Sequence, residues 1–170
     1  MSGLLFLTSD DFVVTKGSKG SILCHGIPGF SLILFYSTQC QHCQTLIPIF
    51  KKLPGTIGGC QFGMINISTN KQCVKMSNET IAPIEYVPYI ILYIQGKPFM
   101  KYNSSYDVET IKRFVIEVAN KVQNKTKFST DNVKNVDKSI PEYSIGHPII
   151  GDMDDKRCYI TMDGYLKDKK

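Results

Sequence analysis

The sequence predicts an α/β fold in which a central mixed sheet is flanked by helices and followed by a C-terminal extension. An apolar run at residues 32–36 has the length of a buried strand, and the residues after it change to helical spacing. Further apolar runs alternate with helical patterns, and Gln95-Gly96-Lys97 is a hairpin signal. After residue 124 this periodicity is lost. We therefore predict one domain over residues 1–123 and an extension over 124–170 that packs partly on it.

Each element follows from its local pattern. Residues 8–11 predict a turn or helix cap, and Asp107 is placed to cap the last helix of the domain. Residues 16–30 are rich in glycine and short polar side chains, so we expect an irregular or shortened helix there. Strands are predicted at residues 4–7, 32–36, 60–67, 89–94 and 98–102, and helices at 43–53, 70–78 and 108–122.

The extension is polar and rich in asparagine at residues 125–139, which is typical of a linker or surface segment. Residues 157–162 could form one strand. The extension also carries apolar side chains that are too numerous to leave in water, namely Ile149, Ile150, Tyr159, Ile160 and Tyr165.

Two cysteines lie where the buried strand passes into the helix, in Cys40-Gln41-His42-Cys43. A helix N-terminus favours negative charge, so Cys40 should ionise below the ~8.5 of a free thiol. A protonated His42 would favour the thiolate further. The spacing lets the two cysteines close a disulfide, with Cys40 at the exposed end and Cys43 turned toward the core. We expect Cys40 to attack substrates and Cys43 to resolve the mixed disulfide.

Strand, Cys-x-x-Cys and helix, with Pro48 five residues past Cys43, resemble the thioredoxin superfamily. Pro88, which opens the apolar strand at 89–94, is a second match, and the resemblance covers residues 4–122. It implies a thioredoxin-like fold in which Pro88 is cis and faces the active-site disulfide. It also implies that the Val87 backbone is presented to an extended substrate, and that Tyr36 supports the motif by packing.

The motif departs from thioredoxins in ways that bear on function. Gln39 replaces a tryptophan, and Gln41-His42 replaces Gly-Pro, as in the protein disulfide isomerase and periplasmic oxidase branches, whose redox pairs are more oxidising. Leu34 stands where thioredoxins keep a buried aspartate. The resemblance therefore implies a protein thiol-disulfide oxidoreductase, leaning to disulfide donor or isomerase, that needs no cofactor. Its expected partners are protein dithiol or disulfide substrates, with a sulfhydryl oxidase or a reductase as redox partner.

Two other classes of function stay open. Cys40 and Cys43 could join Cys24 and His25 in a structural zinc site. Alternatively, the domain could bind partners through the groove near Pro88 without turnover. The remaining cysteines are interpreted as small core or surface residues, with Cys60 and Cys73 as a second potential redox pair; they are Cys24, Cys60, Cys73 and Cys158.

Composition excludes several partners. A hydrophobic content of 42% with 21% charged residues is typical of a globular protein. The net charge of +5 does not come from a run of basic residues, because the lysines are scattered among acidic residues, and this argues against nucleic-acid binding. No apolar run approaches the ~18 residues of a membrane span. Residues 1–11 lack the features of a secretory signal, so we expect a cytoplasmic protein. The chain also resembles thiol redox proteins of large cytoplasmic DNA viruses, which would add the virion as a location.

Overall fold

A computed structural model of the chain describes residues 4–17, 20–128, 142–143 and 158–160. The strands in these ranges are β1 (Leu4–Leu7), β2 (Phe12–Gly17), β3 (Gly20–His25), β4 (Phe30–Tyr36), β5 (Cys60–Asn66), β6 (Tyr86–Val87), β7 (Tyr89–Ile94), β8 (Lys97–Tyr102), β9 (Glu142–Tyr143) and β10 (Cys158–Tyr159). The helices are α1 (Gln41–Phe50), α2 (Lys71–Ser77) and α3 (Val108–Phe128), and a single 3₁₀ turn covers Ser9–Asp11.

The main sheet has the strand order β1-β5-β4-β7-β8-β9. Its first three strands run parallel, β7 is antiparallel to both of its neighbours, β4 and β8, and β9 is parallel to β8. Strand β4 lies at the centre, and its residues Leu32 to Phe35 have no exposed surface. A strand covered on both faces needs apolar residues at every position, which explains the continuous apolar run in the sequence. The predicted mixed sheet is confirmed.

Two cores cover the faces of this sheet. One packs α1 and α3 against it and includes Leu34, Phe50 and Phe114. The other contains Phe35, Cys40 and residues of α2, β2 and β3. The sheet is therefore flanked on both sides, and the predicted α/β class with flanking helices is confirmed.

The prediction of an irregular or shortened helix at residues 16–30 is wrong. Strands β2 and β3 form an antiparallel hairpin, in register from Phe12 opposite His25 to Gly17 opposite Gly20. Phe12 is buried, whereas the next residue, Val13, is 54% exposed. Side-chain exposure at the start of β2 therefore alternates, as it does in a strand with one buried face. Of the four glycines in this segment, Gly17 and Gly20 pair with each other at one end of the hairpin, and Gly26 and Gly29 lie between β3 and β4.

Helix α3 begins where the sequence predicted. The Asp107 carboxylate accepts a hydrogen bond from the Thr110 backbone N–H at 2.8 Å, as an N-cap does. The helix continues to Phe128, so the predicted boundary at residues 123/124 falls inside it, and the division into domain and extension stays a prediction. No helix in the described ranges is long and apolar enough to cross a membrane. Of the extension's apolar residues, Ile149, Ile150 and Tyr165 lie outside the described residues.

Candidate active site

The site begins where β4 ends and α1 starts. Cys40 is the N-cap of α1 and has an extended backbone conformation. Its N–H donates to the Ser37 carbonyl oxygen at 3.2 Å, and its own carbonyl accepts from the Gln44 N–H at 3.1 Å. The chain therefore turns sharply after the buried strand and places the Cys40 side chain at the positive end of the helix dipole, as the sequence predicted.

Cys43 lies one turn further along α1 and has no exposed surface. Its sulfur accepts a hydrogen bond from the Ser37 backbone N–H at 3.4 Å. Burial raises the pKa of the Cys43 thiol to about 12, with the Ser37 hydrogen bond opposing part of this rise. Cys43 is therefore a neutral thiol at pH 7, which suits a group that acts only after Cys40 has reacted.

The third component is the loop that carries Pro88. The Val87–Pro88 peptide bond is cis, as the resemblance implied. The Val87 carbonyl oxygen lies 3.8 Å from the Cys40 sulfur. Chain segments far apart in sequence thus bring Cys40, Cys43 and Pro88 to one place.

The cysteine bonded to Cys40 is not the expected one. Cys40 forms a disulfide with Cys158, 118 residues away, with the two Cα atoms 6.0 Å apart. Cys43 is a free thiol. The expectation that Cys40 is exposed is also wrong, because it has no exposed surface beneath the segment that carries Cys158. Sequence reasoning assigned Cys158 to the core or surface, and no local spacing links it to Cys40.

Cys158 belongs to a strand that lies along the Pro88 loop. Strand β10 pairs antiparallel with β6, with Cys158 opposite Val87 and Tyr159 opposite Tyr86. The next residue, Ile160, donates its N–H to the Glu85 carbonyl oxygen at 2.8 Å. Its side chain is only 6% exposed and belongs to the same core cluster as Cys40 and Cys43. The Tyr159 ring packs edge-on against Tyr86, with centroids 6.1 Å apart.

The supporting residues occupy three positions around the motif. Gln41 and His42 form the first turn of α1, the former exposed and the latter half-buried. Tyr36 ends β4 and contacts both cores, and its pKa is raised by burial and by the nearby Cys43. Leu34 is fully buried in the core cluster that packs α1 and α3 against the sheet, whereas Cys43 belongs to the other cluster.

The zinc alternative is wrong. The His25 ring is already engaged: its Nδ1 accepts from the Ile27 N–H at 3.0 Å, and its Nε2 lies 3.2 Å from the Ser31 hydroxyl. The Cys24 sulfur lies 3.0 Å from the Thr15 hydroxyl, and Cys40 is in a disulfide. Within the described ranges, no three His, Cys, Asp or Glu side chains are grouped so as to hold a metal ion.

Cys60 and Cys73 do not form a second redox pair. Cys60 lies in the core beside α1 and α3, whereas Cys73 lies in the core on the other face of the sheet. Both are free, and burial raises the pKa of each thiol to about 12. Cys60 and Cys73 are therefore unreactive core residues, in agreement with their interpretation as small core residues and not with that of a redox pair.

Parts of the chain are similar in sequence to known proteins. The family model described as Thioredoxin matches residues 28–117. Uncharacterized protein 196R of Invertebrate iridescent virus 6 is 35% identical over 96% of this chain and 93% of its own length. Protein disulfide isomerase-like 2-3 of rice, Oryza sativa subsp. japonica, is 28% identical over 52% of this chain and 19% of its own length.

The fold also has solved counterparts. Human ERp44 superposes with a TM-score of 0.51 and 14% identity, over 69% of this chain and 29% of that one. At this identity the likeness concerns the fold alone.

Proposed function

The chain belongs to the thioredoxin family, and from this premise we propose that it is a protein thiol-disulfide oxidoreductase that acts through Cys40 and Cys43. One observation carries the proposal. Cys40, at the N-cap of α1, is in a disulfide with a cysteine of an extended strand beside cis Pro88, while Cys43 remains a free thiol in the same core. An attacking cysteine and its resolving cysteine need this arrangement around a mixed disulfide.

As a disulfide donor, the chain would start with Cys40 bonded to Cys43. A substrate thiolate attacks the Cys40 sulfur, forms a mixed disulfide with it and displaces Cys43, which takes up a proton. The second substrate thiol then attacks its own bonded sulfur and displaces Cys40. The substrate leaves with a disulfide, and its two electrons remain in the reduced cysteine pair. A redox partner of the sulfhydryl oxidase class would then accept those electrons.

The direction of this chemistry is proposed from His42. When protonated, this residue of the first turn of α1 favours the Cys40 thiolate and so stabilises the reduced pair, which raises the reduction potential. The rice relative, whose name describes it as protein disulfide isomerase-like, supports a donor or isomerase.

The relative from an iridescent virus matches nearly the whole chain and supports a viral origin, for which the cytoplasm or the virion is the proposed location. A donor of disulfides would serve proteins that must be oxidised in a reducing compartment.

The test uses the full chain and a model peptide with two thiols. The oxidised wild type should convert the peptide to its disulfide form, and Cys40→Ala should abolish this conversion. Cys43→Ala has no Cys40–Cys43 disulfide to donate, so it should also fail to oxidise the peptide; when the reduced variant is given the disulfide form of the peptide, it should accumulate a mixed disulfide on Cys40, because the resolving thiol is missing. Cys60→Ala is the matched control, since it removes a buried thiol on the other face of the sheet, and it should retain turnover. If the wild type neither oxidises nor reduces the peptide, the domain is a non-catalytic interaction protein instead.

A further inference from the structure

The segment Cys158–Ile160 is bound as an extended peptide would be. It adds a strand to β6, and backbone hydrogen bonds continue the pairing to Glu85. The side chain of Ile160 fills a place in the core that contains Cys40 and Cys43. Both the backbone pairing and the covalent bond are therefore made by the chain's own C-terminal part.

We propose that Cys158 is a third redox-active cysteine, and that residues 158–160 are an internal substrate which exchanges with Cys43 for the disulfide to Cys40. This inference rests on the proposed function, because it requires Cys40 and Cys43 to exchange disulfides. It goes beyond that function by assigning a role to a cysteine outside the Cys-x-x-Cys motif.

The exchange conserves the number of disulfides. The Cys43 thiolate attacks the Cys40 sulfur, the Cys40–Cys43 bond forms, the Cys40–Cys158 bond breaks, and Cys158 leaves as a thiolate that takes up the proton released by Cys43. In the reverse direction Cys158 attacks and Cys43 leaves. No electrons enter or leave the protein, so no outside oxidant or reductant is needed. We call the Cys40–Cys158 state the closed form and the Cys40–Cys43 state the open form.

Because Cys40 is buried, the exchange determines whether an outside thiol can reach the Cys40 sulfur. In the closed form Cys40 has no exposed surface, so an outside thiol cannot reach its sulfur. Conversion to the open form breaks the covalent bond that holds the segment over the site. An outside substrate therefore competes with residues 158–160 for the groove beside Val87. Because Ile160 is nearly fully buried there, the groove favours an aliphatic residue two positions after the substrate cysteine.

Disulfide mapping of the full chain tests the proposal. Oxidised protein is quenched with acid, alkylated and digested with trypsin without reduction. Cleavage after lysine and arginine puts Cys40 and Cys43 in the peptide 20–51 and Cys158 in the peptide 158–167. The closed form links these two peptides, whereas the open form leaves peptide 158–167 alkylated and unlinked. Because Cys24 is also in peptide 20–51, Cys40→Ser is included and should abolish the link.

The wild type should contain both forms, and Cys43→Ser should contain only the closed one. Ile160→Asp weakens the seating of the segment without changing a thiol, and it should shift the ratio toward the open form by about tenfold or more. Ile116→Asp is the matched control, because it makes the same change at a residue of α3 that is 41% exposed, and it should leave the ratio unchanged.

A free Cys158 in every sample would overturn the inference. The inference would also be overturned if the link between the two peptides were found in every sample, without any open form, and if Ile160→Asp did not weaken it. Cys158 would then be a structural cysteine. Peptide oxidation by Cys158→Ser separates this failure from that of the proposed function. If this variant turns over peptide while either result above holds, only the inference fails; if it and the wild type are both inactive, the proposed function fails with it.

Discussion

Acid should destabilise this protein through His25, the last residue of β3, which connects the hairpin to the main sheet. Its backbone N–H donates to the Gly96 carbonyl oxygen at 2.9 Å, and its ring lies 4.3 Å from that of Tyr93. The Nδ1 atom accepts the Ile27 N–H, so the ring must be neutral to keep this bond. Burial lowers the pKa of His25 from its ordinary 6.5 to about 4, against a smaller opposing effect of Asp11.

The sign follows from this depressed pKa. Above pH 6.5 the ring is neutral in both the folded and the unfolded chain, so the full stability is present. Between pH 6.5 and 4 the unfolded chain binds a proton that the folded chain does not, and the free energy of unfolding falls. The loss attributable to His25 is about 2 kcal/mol at pH 5 and about 3 kcal/mol below pH 4.

Urea unfolding followed by circular dichroism, at pH 7 and pH 5 in the presence of a reductant, measures this loss. His25→Gln cannot titrate in this range, so its curve records every other acid effect. The wild type should lose about 2 kcal/mol more than the variant between the two pH values. Equal losses in the two proteins would refute the assignment of a neutral, buried His25.

Three further outcomes are expected. The rate at which Cys43 releases a mixed disulfide from Cys40 should rise about tenfold per pH unit from pH 7 to 10, because burial raises the pKa of Cys43 to about 12; a plateau below pH 9 in quenched-flow measurements would contradict this. His42→Pro should lower the reduction potential measured against glutathione, and a wild-type value at or below the ~−270 mV of thioredoxin would make the protein a reductase. Gly96→Ala should destabilise the fold by more than about 2 kcal/mol in urea unfolding, because Gly96 has a φ of 80° and a Cβ there would overlap the His25 carbonyl oxygen. Gly58 has open space around it, so the control Gly58→Ala should change stability by less than about 0.5 kcal/mol. Equal effects of the two substitutions would contradict this reasoning.

The part of the site that could be predicted from sequence is the part encoded locally. A buried strand needs a continuous apolar run, and a helix needs an apolar face, so β4 and α1 can be predicted from residues 32–53 alone. The motif between them fixes the positions of Cys40 and Cys43. No local pattern in the sequence predicts the cis bond before Pro88, and only the resemblance to a family implied it.

The hairpin of β2 and β3 was misread because its strands carry two conflicting signals. Gly17 and Gly20 interrupt the segment, and because glycine is unfavourable inside helices and strands alike, they argue against any regular element there. Val13, Val14 and Ile22 are β-branched residues typical of strands. What stabilises the hairpin is packing of Phe12 and Leu23 into the core, which the sequence does not display.

The bond to Cys158 could not be predicted because its two ends are 118 residues apart. No spacing rule connects cysteines at such a distance, and the cost of closing a loop grows only slowly with its length, so distance alone does not exclude a bond either. The signal that was available is the short run Cys158-Tyr159-Ile160, whose strand potential was recognised. Its partner strand, Tyr86–Val87, was not predicted as a strand, and the pairing was therefore missed.

The proposed exchange separates two quantities that are combined in an ordinary Cys-x-x-Cys site. The fraction of protein that is oxidised depends on the redox poise of the surroundings, because reduction consumes two electrons. The ratio of closed to open form does not, because the exchange consumes none. That ratio depends on how well residues 158–160 fit beside Val87 and on how buried Cys43 is in each form. A substrate that competes for the same groove can therefore draw the chain into the open form at constant poise, so that access to Cys40 is governed by recognition of the substrate peptide rather than by the supply of oxidant.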